Sequence, residues 1–245
     1  MPLLEGKGVT KYFGGLAAVL NVNFHVEQGE AFGLIGPNGA GKTTLFNLIS
    51  AALTTKSGTI TFKGENITGL KPYKICRMGI ARTFQTVKVF PDLPALSNVI
   101  LGSYFGMSPG LSSPDAVREA TALLEFVGLS AVRELPAKEL TLANQKRLEV
   151  ARALATNPEL LLLDEMMAGL NSAELAHAME LVARIREKGI TIIMIEHVMK
   201  AIMNVCERIM VLHHGEKIAE GTPQEIATSK TVIKVYLGEK AHAGS

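Results

Sequence analysis

The chain has 245 residues, a formal net charge of +2 and two cysteines. That length supports one large apolar core, close to the size at which cores stop growing and domains divide, so one domain with an inserted lobe is expected. Near-balanced charge offers no field for nucleic acid or an anionic membrane. Cys76 and Cys206, far apart and without His or Cys at metal spacing, argue against a disulfide framework or a zinc site and suit a reducing compartment.

Residues 3–9 and 22–26 alternate apolar and polar side chains, the pattern of short half-buried strands. Residues 31–35 form a compact apolar strand that runs straight into Gly36-Pro37-Asn38-Gly39-Ala40-Gly41-Lys42-Thr43-Thr44, after which Leu45, Phe46, Leu48 and Ile49 recur at helical spacing. The 36–43 segment fits G-x-x-x-x-G-K-[ST], a pattern met by accident on the order of one per cent of the time in a chain this long. Glycines let the backbone wrap phosphates, the helix N-terminus adds its positive end, Lys42 reaches the β- and γ-phosphates, and the Thr43 hydroxyl ligates magnesium. Mg-ATP is the expected ligand and its hydrolysis the expected reaction.

Residues 58–62 read as another strand closed by a turn at 63–66, and 72–79 as a short helix. From Pro91 to Pro158 the texture changes. Stretches 96–101, 116–127 and 147–155 are helical by periodicity, broken by Pro109, Gly110, Pro114 and Pro136, which marks an inserted helical lobe over 91–157. Strand texture returns at 160–163, then come a helix at 173–188, a strand at 191–195, a helix at 198–206 and a strand pair around 209–212 and 217–219. Alternating strands and helices imply an α/β fold with a largely parallel sheet. The expected domain covers 1–238, with its core in 1–90 and 158–238 and a flexible tail over 239–245. No apolar stretch approaches the ~18–20 residues that span a bilayer, and no basic-then-apolar leader is present. A cytoplasmic chain that reaches a membrane by docking on a partner is expected.

Leu160-Leu161-Leu162-Leu163-Asp164-Glu165 is a buried strand ending in two carboxylates. Such a strand delivers its terminal acid to the carboxyl edge of a parallel sheet, where ligands bind in folds of this kind. Asp164 is expected to hold magnesium through a water, and Glu165 to polarise the attacking water. His197 follows the apolar strand 191–195 and can reach the γ-phosphate from the same edge.

Together these residues resemble the ATP-binding cassette family, and the whole chain is similar to one ATPase subunit of an ABC transporter. The resemblance implies a P-loop NTPase core with a mostly parallel sheet, an N-terminal antiparallel β lobe and an inserted helical lobe. In Lys11-Tyr12-Phe13-Gly14-Gly15 it implies that Phe13, with Tyr12 next to it, stacks on adenine. In Arg82-Thr83-Phe84-Gln85 it makes Gln85 a magnesium ligand that also senses the membrane partner. Ala168-Gly169-Leu170-Asn171 matches the family's D-loop, which places Asn171 at a nucleotide site shared across a dimer interface.

The family signature Leu-Ser-Gly-Gly-Gln is altered to Leu140-Thr141-Leu142-Ala143-Asn144, ahead of the usual helix. In the family this segment meets the γ-phosphate of ATP held by the other subunit. Thr141 keeps a hydroxyl, but Ala143 puts a methyl where glycine backbone would approach the phosphate. A heterodimer with a second ATPase whose signature is intact is therefore favoured over a homodimer. Segments 83–85, 164–171, 218–226 and 235–238 resemble the ATPases of branched-chain and hydrophobic amino-acid importers. That resemblance implies integral-membrane permease subunits as partners, an extracytoplasmic solute-binding protein indirectly, no nucleic acid, and a place on the inner face of the membrane. Loop 85–91 and the helical lobe would form the permease groove, with Val87, Val89 and Phe90 as contacts. The alternative is a non-transport ABC ATPase of cofactor assembly, DNA repair or translation. It fits less well, since the chain has neither a long coiled coil nor a basic stripe.

Overall fold

The computed structural model describes residues 1–106 and 113–242. Ten strands, nine α-helices and two short 3-10 helices are assigned among them. The N-terminal part is a four-stranded antiparallel sheet, β2-β1-β4-β5, made of β1 (Leu4–Phe13), β2 (Leu16–Val26), β4 (Ser57–Phe62) and β5 (Glu65–Asn66). The hairpin of β1 and β2 is longer than periodicity predicts. Register shifts between Gly6 and Val9, Val9 and Lys11, and Lys11 and Tyr12 break the two-residue alternation that would have revealed it.

The second sheet has the order β10-β9-β3-β8-β7-β6. Here β3 (Ala31–Ile35), β6 (Ile80–Arg82), β7 (Leu160–Asp164), β8 (Thr191–Ile195) and β9 (Arg208–His213) are parallel, and β10 (Glu216–Gly221) closes one edge antiparallel to β9. All five residues of β3, β7 and β8 are buried, the continuous apolar run expected of strands covered on both faces. Alternate side chains go to opposite sides. Leu161, Leu163, Ile192 and Met194 join the core shared with the helical lobe, while Leu160, Leu162, Ile193 and Ile195 pack toward the antiparallel sheet. Burying the four leucines of β7, each 0% exposed, contributes about 6–12 kcal/mol before chain entropy is counted, which is how the strand carries a carboxylate out of water at its end.

The helices are α1 (Lys42–Ile49), α2 (Pro72–Arg77), α3 (Ala95–Ser103), α4 (Ser113–Phe126), α5 (Leu142–Leu154), α6 (Ser172–Glu187), α7 (Met199–Val205), α8 (Pro223–Thr228) and α9 (Lys230–His242). Helices α3, α4 and α5 pack on one another to form the lobe that the change in texture predicts. Helix α5 begins at Leu142, ahead of the 147–155 periodicity, because the Thr141 hydroxyl accepts the Asn144 amide and caps it. Strand β6, only three residues long, escapes a periodicity reading altogether. Helix α8 announces itself by a capping box, Thr222 with Glu225 and Pro223 at the first turn. Helix α9 carries the chain to His242, so 239–242 is helical where a polar tail was expected. Pro109 and Gly110, read as breakers, lie outside the described residues, as do 243–245.

Candidate active site

Parallel register brings four strand ends to one edge. Asp164 sits opposite Ile195, Leu34 also pairs with Ile195, and Arg82 pairs with Leu162, so the loops that leave β3, β6, β7 and β8 emerge side by side. The loop of the 36–43 segment leaves β3 at Gly36 and ends in Gly41, whose φ is 102°, and Lys42 and Thr43 open α1. A Cβ there would come within 2.2 Å of the Ala18 carbonyl oxygen, and one on Gly36 within 2.2 Å of the Leu212 carbonyl oxygen. Both positions are closed to any other residue. The Lys42 ammonium donates to the carbonyls of Gly36 at 2.6 Å and Pro37 at 2.8 Å and is buried within the loop. Thr43 is exposed and lines the cavity beside the loop.

That cavity, of about 430 Å3, is bounded by Phe13 and Leu16 of the hairpin tip, residues 38–44, Gln85, Glu165, His197 and His214. Phe13 faces it and Tyr12 does not line it. Chemistry is concentrated at Glu165. The chain turns there with φ 51°, its amide donates to the Ile195 carbonyl, and its two carboxylate oxygens meet Gln85 Nε2 at 3.0 Å and His197 Nε2 at 2.9 Å. A carboxylate held by an amide and an imidazole beside a phosphate-cradling loop has its lone pairs oriented and can take a proton from a water.

Asp164 is 1% exposed. Its Oδ2 accepts Arg82 Nη2 at 3.0 Å, and its Oδ1 has no partner among the described residues. Burial pushes the Asp164 carboxyl above its usual range, with Arg82 opposing, and burial pulls the Arg82 guanidinium down, with Asp164 opposing. Arg82 also donates to Asn47 Oδ1 of α1 and to the Oγ of Ser50 at that helix's C-terminal cap, and lies over the Phe84 ring at 4.6 Å. The ion pair thereby ties the acid to the helix that follows the phosphate loop. Among the described residues no group of three His, Cys, Asp or Glu could hold a metal unaided.

Thr141, Ala143 and Asn171 do not line the cavity. Thr141 and Asn171 are helix caps, Asn171 in a full capping box with Glu174. Ala143 is buried, so its methyl does not project from the start of α5. The side chain that does project is Leu142, 51% exposed, with its Cδ2 lying 3.8 Å from where a Cβ on Gly169 would be. Sequence reasoning passed over Arg82, Lys146, Glu196 and His214. Of these Glu196 alone carried a signal, an acid following an apolar strand just as Glu165 does.

The sequence model of the ABC transporter family matches residues 19–168, and that of the branched-chain amino acid ATP-binding cassette transporters matches 216–242. The chain is 39% identical to the high-affinity branched-chain amino acid transport ATP-binding protein BraF of Pseudomonas aeruginosa, over 97% of this chain and 98% of that one. Among solved structures it resembles the ADP conformation of MJ1267, an ATP-binding cassette of an ABC transporter, with TM-score 0.87, 31% identity, and 97% and 99% of the two chains covered. It also resembles MJ0796, a dimeric cassette bound to ADP and Pi in a post-hydrolysis state, with TM-score 0.82, 28% identity, and 90% and 98% covered. The chain belongs to the ABC transporter family and is one of its ATP-hydrolysing cassettes.

Proposed function

We propose that this cassette energises uptake of branched-chain or other hydrophobic amino acids through a membrane permease, with Glu165 as the residue that activates water. The observation that carries the site reading is the Glu165 carboxylate held between Gln85 and His197 at the mouth of the phosphate loop. In this reading Phe13 stacks on adenine, the 36–44 backbone and Lys42 hold the phosphates, and Lys42 neutralises charge on the transferring phosphoryl group. Glu165 takes the proton of the attacking water while His197 fixes its orientation and contacts the γ-phosphate. Thr43, Gln85 and Asp164 would hold magnesium, and the buried unpartnered Asp164 Oδ1 fits that role, since a hydrated cation would supply the partner it lacks. Magnesium would neutralise charge on the β- and γ-oxygens.

No helix among the described residues is long and apolar enough to cross a membrane, so work at the inner face requires permease subunits. A second cavity, of about 390 Å3, lies between α2, β6 and the lobe and is lined by Ile75, Phe84, Phe90, Leu101 and Phe105. It is the surface on which a permease segment would seat. Phe90 lines it, whereas Val89 packs against the core and Val87 stays outside it. The altered signature at the start of α5 favours pairing with a second, different cassette, whose intact signature would complete the phosphate loop described here. A solute-binding protein outside the membrane would act through the permease.

Uptake of labelled leucine into vesicles reconstituted with the permease, this chain and its second cassette tests the reading. ATP-driven uptake lost in Glu165→Gln is expected. ATP hydrolysis without uptake of any hydrophobic amino acid would overturn the transport assignment, and full hydrolysis by Glu165→Gln would overturn the site assignment.

A further inference from the structure

Two loops must be held in register for Gln85 and Glu165 to meet, and both are fastened to one helix. Lys146 of α5 is 8% exposed, and its ammonium donates to the carbonyl oxygens of Glu165 at 3.1 Å and Ala168 at 2.6 Å. One turn further along α5, Glu149 is 3% exposed and accepts the Lys88 amide at 3.1 Å, with the Phe84 amide on the same carboxylate. Lys146 therefore grips the loop after β7, and Glu149 grips the loop after β6. The Gln85 amide donating to Glu165 at 3.0 Å closes the circuit.

The spacing is what makes the arrangement mechanical. Residues three apart on a helix share a face, so the two anchors are fixed relative to each other by the helix itself. The same helix begins with Thr141 and Leu142, the segment that faces the other subunit's nucleotide under the reading above. We infer that Lys146 and Glu149 are positioning residues that set the distance between Gln85 and Glu165, so that a displacement of the start of α5 is passed to this subunit's own water-activating carboxylate. The inference rests on Glu165 being that carboxylate. Neither residue touches the cavity that would hold ATP. Their loss should therefore change turnover and leave ATP affinity alone, and a displacement of about 1 Å at the reacting groups is worth roughly 100-fold in rate.

The test is steady-state hydrolysis by the full-length chain, alone and mixed with its second cassette, for wild type, Lys146→Met, Lys146→Arg, Glu149→Ala and Glu165→Gln, with ATP affinity measured separately by fluorescent-nucleotide titration. Lys146→Met is expected to lose about 100-fold in kcat, with nucleotide affinity within threefold of wild type. Lys146→Arg, which can still donate to both carbonyls, should recover at least tenfold of that loss. Glu149→Ala, which frees the other loop, should lower kcat while leaving affinity unchanged. If Lys146→Met does not fold, Glu149→Ala decides the matter. A kcat within threefold of wild type in the folded variant, or a loss that Lys146→Arg does not recover, overturns the inference. Normal hydrolysis by Glu165→Gln would instead overturn the reading on which it rests, whatever Lys146→Met does.

Discussion

Replacing Glu196 by glutamine should make the protein more stable at pH 8 and flatten its dependence on pH. Glu196 follows β8 and is 2% exposed; its Oε1 accepts the Met167 amide at 2.8 Å, and its Oε2 has no partner among the described residues. Burial pushes the carboxyl up to about 7, Glu165 pushes the same way, and the Met167 and His197 amides and the Lys146 ammonium oppose. A carboxyl raised in the folded state holds its proton more tightly there than in the unfolded chain. Its contribution is greatest below about pH 4.5, falls as pH rises toward 7, and is gone above it. A rise from 4.5 to about 7 corresponds to about 3 kcal/mol at most. Glutamine keeps the acceptor for Met167 and never ionises, so it stands in for the protonated form. At about 2–4 °C per kcal/mol for a chain of this size, the variant should melt up to about 6–12 °C above wild type at pH 8, with the two curves converging near pH 5. Calorimetry on both proteins from pH 5 to 8.5 measures this. Parallel curves would show that Glu196 is ionised throughout, and the reasoning from burial would fail.

Arg82→Ala leaves Asp164 buried without its guanidinium and should cost about 3–5 kcal/mol in urea unfolding, the scale for breaking one side of a buried pair; a loss under 1 kcal/mol would mean that water replaces the arginine at once. Gly41→Ala drives a methyl into the Ala18 carbonyl at φ 102° and should abolish fluorescent-nucleotide binding while the far-ultraviolet dichroism stays native. For the altered signature, Leu142→Gly should strengthen ATP-dependent dimerisation more than Ala143→Gly does, because Leu142 is exposed and Ala143 is not. Analytical ultracentrifugation with Glu165→Gln as background reads this, and the opposite order would return the burden to Ala143.

The phosphate loop was legible because its rule is local. Glycines, lysine and threonine at fixed offsets between a strand and a helix specify one backbone path. Asp164, Glu165 and His197 were legible for a second local reason, since an apolar strand of a parallel sheet delivers whatever follows it to the ligand edge. What the chain order hid is long-range. The Arg82 partner of Asp164 and the Gln85 partner of Glu165 come from a three-residue strand and its loop, 82 and 80 positions away, and nothing in Ile80-Ala81-Arg82 shows that the arginine will be buried. Nothing in the helical periodicity around them sets Lys146 or Glu149 apart, because periodicity cannot tell a solvated lysine from one that reaches two carbonyls inside the protein. Ala143 was singled out for its chemistry alone, and burial moves attention to its neighbour.

The Lys42 ammonium rests on the Gly36 and Pro37 carbonyls, which fix its direction within the loop itself. A free lysine gives up about 2 kcal/mol of rotamer entropy when a ligand pins it. Here that loss was incurred during folding, as part of the cost of closing the loop. The incoming nucleotide meets a cation already aimed, so its affinity owes less to ordering the protein than to trading ammonium–carbonyl hydrogen bonds for stronger ones to an anionic phosphate. Nucleotide capture should accordingly be fast and nearly rigid at this end of the cavity, leaving the slower rearrangements of a turnover to the loops that α5 holds.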